Sequence, residues 1–183
     1  ILKEYKNAKQ TLESRIIEEE KWWRLRHWEV FGDENPQERC EPASAWLFNS
    51  IANKHADAMD NYPEPNVLPR EKGDEEQAKL LSKIIPLVLE NNGFEKTYSD
   101  SWWYKLRHGT AVYGVFWNGA LNRGKGDIDI TRIDLLNLFW EPGISDIQDS
   151  ENLFIVSFEN TGRLTSKYPF LLGKNLNCGV DIR

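Results

Sequence analysis

The sequence predicts an α+β fold in which N-terminal helices pack on a mostly antiparallel β-sheet, and three observations carry that expectation. Apolar residues recur at three- and four-residue intervals through most of the first 108 positions. Beyond Gly109 the pattern changes to β-branched and aromatic residues, then to strict polar–apolar alternation. Helices come first and strands second, without the βαβ alternation that makes a parallel sheet. At 183 residues, 40% hydrophobic with eight Trp, eight Phe and six Tyr, the chain can bury a real core, and a disordered polypeptide is excluded.

The first helix is expected from Leu2 to about Phe31. Tyr5, Ala8, Leu12 and Ile16 form its apolar stripe, with Lys3, Glu4, Lys6 and Lys9 largely between them, and no Pro or Gly occurs before Gly32. Gly32 to Pro36 reads as a polar loop. A second helix follows Pro42, placed as a first helical residue, with Leu47, Ile51, His55 and Ala58 on one stripe. Pro63, Pro65 and Pro69 then impose an extended connection. Asp74 and Gln77 form a capping box for a third helix, whose face is Ala78, Leu81, Ile85 and Val88 and which Pro86 should kink. A fourth runs from Phe94 to His108 and stops at Gly109.

Strands are expected at Thr110–Trp117, before the Asn118–Gly119 turn, and at Asp127–Asp134, where Ile128, Ile130 and Ile133 supply the buried side. Shorter ones are expected within Leu135–Trp140 and Leu153–Phe158. No apolar run approaches the ~20 residues of a membrane span. Cys40 and Cys178 are too far apart for a CxxC pair and read as reduced thiols. The chain starts at Ile1 without an initiator Met, so it is expected to be a trimmed or processed piece of a longer polypeptide.

Catalytic patterns are sparse. His27, His55 and His108 fall on separate helices without metal-ligand spacing; His55 reads as a satisfied core histidine and His108 as a partner for a helix C-terminus. Gly124-Lys125-Gly126-Asp127 precedes a strand and reads as a hairpin loop, not a phosphate cradle. Asp127 and Asp129 share one side of a strand and are the candidates for a Mg²⁺-dependent nuclease, although a solvated strand face accounts for them more simply. The pairs Trp22-Trp23 and Trp102-Trp103, with Arg24 and Arg26 beside the first, have the residue types of a subunit interface, or alternatively of a wide aromatic core. The net charge of −6 argues against a chain that coats nucleic acid, and residues 141–160 hold five acidic residues and no basic one.

Longer strings add a resemblance. Ser44 to Asp60 (SAWLFNSIANKHADAMD), Tyr62 to Glu71 (YPEPNVLPRE), Trp102 to Leu106 (WWYKL), Gly109 to Trp117 (GTAVYGVFW) and Asn137 to Ile144 (NLFWEPGI) occur in that order. Over about residues 15–169 the sequence resembles the N-terminal part of tailed-bacteriophage portal proteins. The resemblance implies a non-enzymatic subunit without cofactors, in a homo-oligomeric ring, usually a dodecamer, at one capsid vertex of the virion. Capsid protein, the terminase motor and tail or adaptor proteins are the implied partners, and double-stranded DNA passes through the ring without sequence-specific binding. The subunit would be made in the bacterial host cytoplasm. Residues 43–169 would be the α+β wing, residues 1–42 a helical segment before it, and residues 170–183 remain unassigned. Stem and clip have no counterpart here. The Asp127/Asp129 nuclease and a generic phage adaptor or scaffold component are the alternatives.

Overall fold

The computed structural model describes residues 1–32 and 42–174, and over these the chain is α+β. In order, the elements are α1 (Leu2–Trp23), α2 (His27–Val30), α3 (Trp46–Asp60), α4 (Glu75–Asn91), α5 (Phe94–His108), β1 (Val112–Asn118), α6 (Leu121–Gly124), β2 (Asp127–Ile133), β3 (Leu138–Phe139), β4 (Phe154–Ile155) and α7 (Thr161–Lys167). The strands form two antiparallel pairs. β1 runs against β2 from Val112 opposite Ile133 to Asn118 opposite Asp127, and β3 pairs with β4 at Leu138–Ile155 and Phe139–Phe154. Cys40, Cys178 and the expected loop residues 33–36 lie outside the described residues.

The first helix is shorter than its pattern suggests. It ends at Trp23, and Leu25 takes a left-handed conformation with φ 60°. The Leu25 amide donates to the Trp22 carbonyl at 3.2 Å and the Arg26 amide to the Lys21 carbonyl at 2.9 Å. These two bonds are the Schellman arrangement, which usually has Gly at the left-handed position. With Leu there instead, the stop carries no sequence signal. The reversal is braced by Trp22, whose ring meets His27 at 4.9 Å and Phe31 at 5.8 Å.

Two further boundaries are corrected. The helix after Pro42 begins at Trp46, so Pro42 is not a first helical residue; its carbonyl instead accepts from Trp28 Nε1 at 3.2 Å. Asp74 does precede α4, yet its side chain caps nothing, because its backbone (φ −87°, ψ −1°) is already helical. A capping side chain needs an extended backbone to reach the free amides. α5 matches its expected limits, with Gly109 left-handed at φ 75° and its amide donating to Lys105.

The core lies where α1 crosses α5 and the segment leaving β2. Ile16, Tyr104 and Leu135 are its buried centre, with Leu12, Val112, Leu136 and Trp140 packed around them. Each fully buried apolar side chain contributes about 1.5–3 kcal/mol. The stripe on α1 is Tyr5, Lys9, Leu12 and Ile16; Lys9 is buried and Ala8 exposed, the reverse of the alternation expected at these positions. Lys9 Nζ donates to the backbone carbonyls of Leu135 and, at 2.8 Å, of Leu138. It also sits 4.2 Å from the centre of the Phe139 ring. A pattern read as apolar against charged misplaces such a lysine, because its stem packs as hydrocarbon while its head satisfies acceptors across the core.

Removing this contact tests the packing. Lys9→Ala leaves a void and takes a charged donor from two carbonyls, and should lower unfolding free energy by about 2–3 kcal/mol in urea denaturation.

Candidate functional site

All four tryptophans expected at an interface engage other rings of the chain, and Trp102 carries a cation as well. Trp23 stacks on Phe48 of α3 at 4.8 Å and meets Trp103 of α5 at 5.5 Å. Trp103 in turn stacks on His55 at 4.1 Å with an 18° interplanar angle. His55 Nε2 lies 3.0 Å from Ser99 Oγ, so this ring is both stacked and hydrogen-bonded. The result is an aromatic seam joining α1, α3 and α5. Trp22 braces the chain reversal, while Trp102 meets Tyr98 and carries Lys105 Nζ 4.5 Å from its ring.

Arg24 and Arg26, also expected at an interface, are exposed and paired locally, Arg24 to Glu20 at 2.8 Å and Arg26 to Glu29. Glu20 is shared. Its second oxygen accepts from Arg107 Nη1 at 3.0 Å, and the His108 ring lies 3.1 Å from Glu19 through Nδ1 and 3.6 Å from Glu20 through Nε2. His108 is only 4% exposed. Two adjacent carboxylates on α1 thus meet two adjacent cationic or dipolar side chains at the end of α5. The acid-before-base spacing of Glu20 and Arg24 was visible in sequence; the cross-helix partners, 87 and 89 positions away, had no local signal.

Beside this junction α1, α5 and β2 enclose a cleft of about 650 Å³. Ile16, Ile17 and Leu136 give it an apolar wall. Its charged lining is uneven: Lys21, Arg24, Arg26, Arg107 and Arg132 oppose Glu20 and Asp134. Asp134 is already occupied, since its Oδ1 accepts from the Tyr104 hydroxyl and from the Leu136 amide, each at 2.9 Å. The Arg132 guanidinium lies 4.7 Å from the centre of the Tyr104 ring, and its Nη1 is buried without a hydrogen-bond partner among the described residues. Sequence reasoning missed Tyr104, Arg107 and Arg132 in this role, because they come from different elements and form no motif.

Asp127 and Asp129 are held in the β1–β2 hairpin. Asp127 Oδ1 accepts from the Ile128 amide at 2.8 Å and Asp129 Oδ2 from Asn118 at 3.2 Å. Among the described residues no three His, Cys, Asp or Glu side chains converge as metal ligands would. The Gly124–Asp127 run leads from α6 into β2 within the connection between the two strands, and Gly126 (φ 85°) lies so close under Trp117 that a Cβ there would fall 2.4 Å from the indole ring.

Tyr104 provides a measurable consequence. Burial, reinforced by its hydrogen bond to Asp134, pushes its phenol well above the ordinary value of 10.0. The unfolded phenol ionises near pH 10 while the folded one keeps its proton, so its contribution is complete below pH 10 and is lost as pH rises further. Tyr104→Phe should cost about 1–2 kcal/mol at pH 7 and lose stability less steeply than the parent between pH 10 and 11, followed by urea denaturation.

The sequence matches no protein-family model, no curated protein and no solved structure.

Proposed function

We propose that this chain is the wing region of a bacteriophage portal subunit, a structural element that acts by self-association around a DNA conduit. The observation carrying the self-association is the large surface the chain leaves open. It exposes 14605 Å², where a compact monomer of 21.3 kDa exposes about 9,000 Å².

Part of that surface is apolar and ordered along two elements. Leu80, Ile84 and Leu87 of α4 follow helical spacing and are exposed, Leu80 by 58% and Leu87 by 55%. Tyr113, Val115 and Trp117 occupy one side of β1 and are exposed, Trp117 by 70%. Contiguous apolar faces of this kind mark contact surfaces. The ordered sequence strings connect this behaviour to portal subunits in particular. Among the described residues no helix is long and apolar enough to cross a membrane. The nuclease alternative draws no support from Asp127 and Asp129, each of which is engaged within its own hairpin.

The test is assembly. The subunit containing this chain should form closed rings in negative-stain electron micrographs, and a subunit that remains monomeric at high concentration contradicts the proposal. Ile84→Glu combined with Leu87→Glu should reduce ring formation by at least about tenfold with helicity unchanged in circular dichroism.

A further inference from the structure

We infer that the cleft between α1, α5 and β2 is a binding site for the phosphate group of a small organic molecule, with Arg132 as its anchoring residue. Five cations line the cleft; Arg24 and Arg107 share Glu20 and Arg26 pairs with Glu29, which leaves Lys21 and Arg132 without an ion pair among the described residues. Two unpaired cations on one cleft attract a negative group into the space between them. The two carboxylates of the cleft make their contacts with other groups. Glu20 is divided between Arg24 and Arg107, and Asp134 accepts from Tyr104 and Leu136.

Arg132 is the sharpest sign of a missing acceptor. Its Nη1 is buried and has no hydrogen-bond partner among the described residues, although a buried guanidinium N–H is among the groups most expensive to leave unpaired. The same side chain lines the cleft, so a modest turn of its planar fork presents two donors to an oxyanion there. Lys21, on the α1 side of the cleft, is a compact cation for a second oxygen. Arginine forks favour phosphate because its tetrahedral oxygens accept paired N–H bonds. The remaining wall of Ile16, Ile17 and Leu136 is apolar, and about 650 Å³ is far more than a bare phosphate fills. A phosphorylated molecule with an apolar or aromatic body fits both halves of the lining. The inference is independent of the portal reading.

Isothermal titration at low salt, with adenosine monophosphate and inorganic phosphate as probes, tests it. The nucleotide should bind once per chain with a dissociation constant below about 1 mM, and phosphate more weakly at the same site. Arg132→Met should weaken nucleotide binding at least about tenfold, Arg132→Lys less, and Lys105→Met, on the exposed side of α5, not at all. Thermal melting without ligand verifies that each variant is folded, and Lys21→Met offers a second reduction in affinity should Arg132→Met unfold. Absence of saturable nucleotide binding up to about 10 mM overturns the inference, as does equal affinity in the parent and in folded Lys21→Met and Arg132 variants. Tighter binding of a duplex oligonucleotide than of the nucleotide, lost with the same substitutions, would overturn the small-molecule assignment in favour of a nucleic-acid backbone.

Discussion

A lysine that reaches the core from the first helix fixes the rest of the arrangement. With Lys9 Nζ under the carbonyls of Leu135 and Leu138, α1 is tied by its buried face to the chain that leaves β2. Burial lowers the Lys9 pKa from its usual 10.5, with Glu13 and Asp134 pulling the other way, so keeping the charge inside has a cost. The carbonyls and the Phe139 ring offset it. From that anchor Ile16, seven residues on, meets Tyr104 and Leu135, and Glu19 and Glu20 arrive at Arg107 and His108. The cleft is the space left beside these contacts.

The parts of this that were legible in sequence are those with local causes. α5 and its glycine stop follow from spacing and from the one residue type at ease in a left-handed backbone. The β1–β2 hairpin follows from a β-branched and aromatic run on one side of a turn-rich stretch and polar–apolar alternation on the other. The unread parts have distant causes. Leu25 adopts a glycine-like conformation because Trp22, His27 and Phe31 pack across the reversal. Lys9 is interior because two carbonyls more than 120 positions away need a donor. The cleft draws one wall from each of three elements, and Arg107 and Arg132 resemble any other surface cation until the fold brings them together.

The same economy explains why so much apolar surface stays outside. The core at the α1–α5 crossing is small, and α4 and the β1–β2 hairpin each bury one side only. In a chain that functioned alone, the faces of Leu80, Ile84 and Leu87 and of Val115 and Trp117 would carry no evident benefit and would promote aggregation. In a subunit they are the natural complement of a neighbour. The tryptophans divide between these demands: Trp23 and Trp103 hold the helices together internally, whereas Trp102 stands at the flank of α5, where a neighbour can reach it. A structural role needs this kind of division, with rigid internal seams and open outer faces.

The claim beneath all of this is that α1 belongs to the folded body and is not a detachable arm. Native-state hydrogen exchange measures it directly. Amides from Leu12 to Ile16 should exchange with the same opening free energy as those of α5 around Tyr104, because both helices share one core. Exchange of the α1 amides about a hundredfold faster than those of α5 would show that the first helix opens on its own, and would contradict the account.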